Sequence, residues 1–297
     1  MRLLIVTLLA VLPLAARAGG TDGRPPAETP GLEKEGIHWL GPPPPARPRR
    51  IVSLAPSLTD VVVALGQARR LVGVTRFDTA PEVASLPRVG GFVDPSVEAV
   101  VGLRPDLVLW LTDGSALAPV KRIAALGVPV LALPIVDVAD VIATARAVAK
   151  AVGDPAAGDR LVAQLEGAIA RARARAASLP RKRVLLVVGR EPLVVAGPGS
   201  YPHELLDIVG ATNVVGGAVA WPVFPVERAA ALDPDVVVDA AVREHGSGQG
   251  AGLDAIPAVR RGALRRLRTD DALRPGPALV RALDALHEAV HPEAARR

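Results

Sequence analysis

The chain reads as an α/β protein of two similar lobes with a long helix between them, and three observations predict it. The first is an internal repeat. Val97-Glu98, four residues, Leu103, one residue, Pro105-Asp106-Leu107-Val108-Leu109 returns as Val226-Glu227, four residues, Leu232, one residue, Pro234-Asp235-Val236-Val237-Val238. Each copy spells a short helix, a proline-marked turn and a buried strand. The second is a smaller repeat, Asp60 to Gly66 answered by Glu204 to Gly210, where an acidic residue and an apolar run lead to a glycine that closes a helix. The third is the alternation of short leucine-rich and β-branched runs with helical stretches, the pattern of parallel sheets with crossover helices. The copies lie too far apart for a solenoid, so they predict two lobes and a cleft between them, a place for a small ligand.

Taken in order, residues 1–18 have the form of a secretory signal peptide: Arg2, the apolar run Leu3–Leu14, and the small-residue site Ala16-Arg17-Ala18 with cleavage expected before Gly19. The apolar run is too short to span a bilayer. Residues 19–48 are polar and proline-rich, including Pro42-Pro43-Pro44-Pro45, and read as a disordered tether. A first lobe follows over 49–137. Its strand candidates are Ile51–Leu54, Leu71–Val74, Leu107–Leu111 and Val130–Leu133, and Ser57 with Asp60 reads as a capping box for the first helix. Over 138–179 the texture turns helical, broken at Gly153-Asp154-Pro155. Pro155 suits the first position of a helix running to about Ser178. A second lobe over 180–297 opens with the strand Val184–Val188 and closes with a helix from Pro277 to about Val290. Its glycine-rich segment 246–252 lacks phosphate-loop spacing and reads as a surface loop.

The 297 residues carry no cysteine, which excludes disulfides, thiol chemistry and a lipid anchor on a cysteine behind the signal. Export without disulfides predicts a soluble periplasmic protein. The formal charge of +5 falls to +3 once Arg2 and Arg17 leave with the signal. The remaining arginines read as solvated helix faces, and no nucleic-acid motif accompanies them.

Aromatic residues are few: three Trp, three Phe and one Tyr. Six of them, Phe77, Phe92, Trp110, Tyr201, Trp221 and Phe224, fall near strand C-termini or in the loops beyond. In parallel sheets those loops line the ligand crevice, so the six are the candidate ligand-binding residues for a large, flat, partly apolar molecule. Glu98 and Glu227 sit early in matched helices, where the helix dipole favours an acid. Their recurrence points further, to a matched pair of charges for register with a partner. His287-Glu288-Ala289-Val290-His291 spells the zinc-hydrolase pattern HExxH. Pro292 ends its helix at once, Glu293 is the sole ligand-capable residue after it, and a chain-terminal helix is expected to fray. A zinc hydrolase is therefore the remote alternative. No metal and no cofactor are expected, and neither is enzymatic activity.

Three stretches carry a family resemblance: Arg50-Ile51-Val52-Ser53-Leu54-Ala55-Pro56-Ser57-Leu58-Thr59-Asp60, then Leu86-Pro87-Arg88-Val89-Gly90-Gly91-Phe92-Val93-Asp94-Pro95-Ser96-Val97-Glu98, then Leu103-Arg104-Pro105-Asp106-Leu107-Val108. With Leu273-Arg274-Pro275-Gly276-Pro277 near the end, they resemble the periplasmic substrate-binding proteins of ABC importers for cobalamin, iron siderophores and haem. The resemblance spans about 50–291. It implies two Rossmann-like lobes bridged by a single long backbone helix, a monomer that captures a small molecule, and delivery to a permease with its ATPase. In that family a glutamate on each lobe docks onto permease arginines, and Glu98 and Glu227 fall at those positions. The Leu-Pro-Arg-Val-Gly-Gly and Arg-Pro-Gly-Pro stretches look most similar to the cobalamin branch, although Thr79 stands where that branch usually has a tyrosine. Haem ranks behind, since Tyr201 is the one tyrosine, and Arg76, Arg88 or Arg190 leave a ferric siderophore open.

Overall fold

Two parallel-rich sheets face one another across a shared helical layer in the computed structural model, which describes residues 36–112, 117–241 and 252–294. In chain order the first lobe contains β1 (His38–Leu40), β2 (Ile51–Ser53), α1 (Pro56–Ala64), β3 (Leu71–Gly73), α2 (Val97–Gly102), β4 (Leu107–Leu111), α3 (Leu117–Ala125) and β5 (Val130–Leu133). Two helices follow, α4 (Val138–Ala151) and α5 (Pro155–Ala176). The second lobe contains β6 (Lys182–Arg190), β7 (Leu193–Val195), α6 (Tyr201–Ile208), β8 (Ala211–Asn213), α7 (Val226–Ala231), β9 (Val236–Asp239), α8 (Pro257–Arg260), β10 (Leu264–Arg266) and α9 (Leu279–Val290).

The first sheet runs β1-β5-β4-β2-β3, parallel throughout except for β1. The second runs β10-β9-β6-β7, with β8 also parallel to β6 and β7 antiparallel at the edge. Alternation along each strand divides the core. Ile51, Leu107, Leu109, Val184, Leu186, Val236 and Val238 point to one side, into a single apolar cluster that also takes in α4, α5 and α9. Their neighbours Val52, Val108, Leu185, Val187 and Val237 point to the other side, into a separate outer cluster for each lobe. The lobes are therefore fused through one dry layer. Its backbone is α5, 22 residues long and so about 33 Å. Close approach of α4 and α5 depends on Gly158, where a Cβ would sit 2.5 Å from the Ala149 Cβ.

The repeat is a repeat in space. Gly66 and Gly210, both at φ +73°, end α1 and α6 in the left-handed conformation. The turn before each central strand carries the same strain, with Arg104 at φ +46° and Asp233 at φ +41°. Matching hydrogen bonds hold it. Asp106 accepts from the Arg50 backbone N–H at 2.8 Å, and the Arg50 guanidinium donates to the Leu103 carbonyl at 2.7 Å. Asp235 accepts from the Arg183 N–H at 2.8 Å, and the Arg183 guanidinium donates to the Leu232 carbonyl at 2.6 Å.

Two expectations need correction. The disordered tether of 19–48 does not extend to 48, because from Gly36 onward the chain is part of the first lobe. β1 pairs with β5, Pro48 is buried, and Arg70 donates to the Pro48 carbonyl. The prolines fit there because β1 is an edge strand and the segment after it needs no ladder partners. The capping box at Ser57 is absent: α1 starts at Pro56, whose fixed φ suits the first helical position, so Ala55 becomes the cap and Ser57 lies inside the first turn. Pro155 opens α5 as expected, and Asp154 caps it by accepting from the Ala157 N–H. The signal segment, residues 19–35 of the tether and nearly all of the glycine-rich segment lie outside the described residues.

Candidate ligand-binding cleft

Both sheets end their strands toward a cavity of about 490 Å³ between the lobes. Arg76, Phe77 and Thr79, beyond the end of β3, line one wall. The opposite wall follows β10: Arg268, Thr269, Asp270, Asp271 and Arg274, with Arg281 from α9. Each wall is built by a small buried polar knot. In the first, the Asp78 carboxylate accepts from the Thr75 N–H at 2.8 Å and the Thr75 hydroxyl at 2.6 Å, pulling the chain into a turn that presents Arg76 and Phe77. Arg76 then forks onto Asp94 at 2.8 and 3.0 Å and lies 4.8 Å over the Phe77 ring. Hydrogen bonding by Arg76 holds the Asp94 carboxyl below the usual range. Gly91 makes room for this: a Cβ there would stand 2.5 Å from Asp94 Oδ1 and 2.9 Å from both Arg76 and Phe77. Phe92 backs Phe77, ring centroids 6.0 Å apart.

In the second wall the knot is Asp271. It accepts from Arg281 at 2.8 and 3.0 Å and from the Thr269 hydroxyl at 2.8 Å. Burial works to raise this carboxyl, and the hydrogen bonds from Arg281 and Thr269 outweigh it, leaving it below the ordinary range. Arg274 bridges the lobes, 3.0 Å from Asp60 on α1 and 3.4 Å from Asp270. Asp60 is pushed upward by burial despite Arg274.

The six aromatic candidates separate. Phe77 lines the cavity, Phe92 supports it from behind, and Trp221 is exposed on the segment that pairs with Val194 through Val223. Trp110, Tyr201 and Phe224 are corrections. Trp110 is fully buried, one residue inside β4, on the face that meets α3, so it packs the outer core. Tyr201 opens α6 with its ring in the shared core, and burial pushes its phenol upward, which keeps it protonated. Phe224 plugs the second lobe's outer core and is capped by the Arg228 guanidinium at 4.2 Å. Position near a strand end does not by itself say which sheet face a side chain meets, and these three meet the core.

The arginines weighed for a siderophore are all committed. Arg76 is clamped by Asp94, Arg88 donates to the carbonyls of Thr75 and Ala84, and Arg190 is buried against Asp239. Sequence reasoning missed the charged wall of 268–281. Its signal was present, since Arg268, Asp270, Asp271 and Arg274 crowd one short turn directly after a strand.

Glu98 and Glu227 are exposed second residues of α2 and α7. The HExxH residues divide by helix face. His287 and His291 turn inward, ring centroids 5.3 Å apart, with His291 Nε2 3.0 Å from the Val209 carbonyl, while Glu288 faces outward. The helix expected to fray is instead packed through Leu279, Leu283 and Leu286. Among the described residues no three metal-capable side chains gather. Burial, followed by the charge of Arg175 and by His291, lowers the affinity of His287 for a proton. Its contribution to stability is thus present above the ordinary histidine range and is lost as pH falls through the lowered folded value. We expect the urea midpoint to drop below about pH 6.5 and the His287→Leu variant to flatten that decline. Parallel pH profiles for the two proteins would refute this.

The chain matches the periplasmic binding protein family over residues 51–260. It is 28% identical over 255 residues to an uncharacterised ABC transporter substrate-binding lipoprotein of Bacillus subtilis, covering 83% of this chain and 81% of that protein. It is 29% identical over 191 residues to the vitamin B12-binding protein of Salmonella typhimurium, covering 64% and 71%. A periplasmic haem-binding protein from Pseudomonas aeruginosa superposes with a TM-score of 0.74 at 30% identity, covering 82% of this chain and 93% of that one. Proteins of this kind bind small molecules, work with a permease and its ATPase, and are not enzymes. No described helix is long and apolar enough to cross a membrane. Two fused α/β lobes, an interlobe cavity and the match across both place this chain in the periplasmic binding protein family of ABC importers.

Proposed function

We propose that the protein captures a metal-bearing tetrapyrrole in the interlobe cavity and hands it to its permease. The carrying observation is the cavity itself, with the Phe77 ring on one lobe and the polar wall of 268–281 on the other. A flat ring edged with polar groups suits those two surfaces, because an aromatic face packs on the macrocycle while the opposite wall meets its rim. Relatives that bind vitamin B12 and haem support the class. The motifs around Gly90 and Pro275 favour cobalamin within it. A ferric siderophore draws less support, because Arg76, Arg88 and Arg190 already have partners.

The test is titration calorimetry with cyanocobalamin and haemin, with the absorption spectrum of the protein purified from the periplasm as a second readout. Phe77→Ala should weaken binding of the preferred tetrapyrrole by roughly 1–2 kcal/mol, the worth of one aromatic face in a contact centre. A ferric siderophore binding where neither tetrapyrrole does would overturn the proposal.

A further inference from the structure

We propose that the groove between β10 and α9 is an anion subsite, entered from the cleft past Arg268, which takes the carboxylate-bearing arm of any tetrapyrrole that carries one and so adds affinity for acid-edged rings over amidated ones. The inference rests on the reading that a tetrapyrrole occupies the cleft. The groove is a second cavity, of about 610 Å³, and Arg268, Thr269, Asp271 and Arg281 line it and the cleft alike. The two spaces therefore meet at one wall.

Charge on that wall is unevenly committed. Arg281 is clasped by Asp271, and Arg274 by Asp60 and Asp270. Arg265 donates to the carbonyls of Gly262 and Leu264, which leaves its positive charge without a carboxylate. Arg266 reaches Asp239 only at 3.8 Å. Arg268 is exposed, lines both cavities and makes no hydrogen bond or ion pair among the described residues, so its five donors are uncommitted there. Two acids line the groove with these cations, Asp271, which Arg281 already holds, and Glu288. A guanidinium fork with no partner among the described residues, flanked by two further arginines, recognises a planar carboxylate in two parallel hydrogen bonds. The apolar side of the groove, Ala285, Ala289 and Pro292, leaves room for the methylene stem of such an arm. Ligands of one ring size are then told apart by the acids at their edge.

The experiment titrates the full chain and its Arg268→Gln and Arg268→Lys variants with haemin, haemin dimethyl ester and cyanocobalamin. Haemin should bind the unaltered protein roughly tenfold or more tightly than its ester, as a charge-assisted pair implies. Arg268→Gln should erase that preference, Arg268→Lys should restore part of it, and the loss of affinity for cyanocobalamin, whose rim is amidated, should be smaller than the loss for haemin. Haemin binding equally to the unaltered protein and Arg268→Gln overturns the subsite and leaves the cleft reading standing. Binding of cyanocobalamin alone overturns the subsite as well. Failure of all three to bind the unaltered protein overturns the cleft reading and the subsite together.

Discussion

Reversing Glu98 and Glu227 together to lysine should cut import in cells at least tenfold while ligand affinity and thermal stability stay near those of the unaltered protein. The two glutamates hold the same place in α2 and α7, each the second residue of a short exposed helix, and each helix leads through a strained turn into the central strand of its lobe. The lobes share one apolar layer through α4, α5 and α9, so the two carboxylates ride on a single stiff body. We propose that they meet permease arginines at the same time. The first contact then presents the second at high effective concentration, and losing both costs more than twice the loss of either. Each single reversal should cost less than the double. Among the described residues Glu98 accepts only from the neighbouring Ser96 hydroxyl and Glu227 makes no side-chain hydrogen bond or ion pair, so unchanged thermal stability would separate a transport defect from unfolding. Normal uptake by the double variant would reduce the pair to helix-dipole partners.

Trp110→Ala should lower stability by about 3–5 kcal/mol, a large share of what a protein of this size has. Trp110 is the largest fully buried side chain, walled in by the outer core of the first lobe, and alanine leaves a void that the strands around it cannot close. Its indole N–H has no hydrogen-bond partner among the described residues, so Trp110→Phe should cost far less than alanine: it keeps most of the volume and removes that donor. Chemical denaturation checks both variants. If Trp110→Ala folds with near-normal stability but binds ligand poorly, the residue belongs to the cleft after all.

Much of the fold was legible because the signals are local or repeated. Leu107–Leu111 and Val130–Leu133 were readable as strands to the residue, and Pro155 marked the start of α5. Each of those depends on side chains within a few positions of one another. The cleft was less legible. Phe77 was readable as a lining residue from its place after a strand, but Arg268 and Arg274 were not, since what separates them from solvated arginines is whether a carboxylate from elsewhere in the chain arrives beside them. Arg274 finds Asp60 from the other lobe, and Arg268 finds none among the described residues. The histidines of α9 show the same limit: their spacing spells a zinc motif, and the folded core buries both, with His291 bonded to the Val209 carbonyl.

By itself, the order of residues determined the two lobes, their matched turns and glutamates, the bridging helix and the family, because periodicity, proline and glycine act through the backbone over short distances. The tertiary structure alone decided that Trp110, Tyr201 and Phe224 are core, that the segment after Gly36 joins the first sheet, and that one arginine on the cleft wall has no carboxylate beside it among the described residues. Those outcomes turn on which sheet face a side chain meets and which distant group fills the space beside it, and burial and pairing across long sequence separations are settled only when the chain has closed on itself.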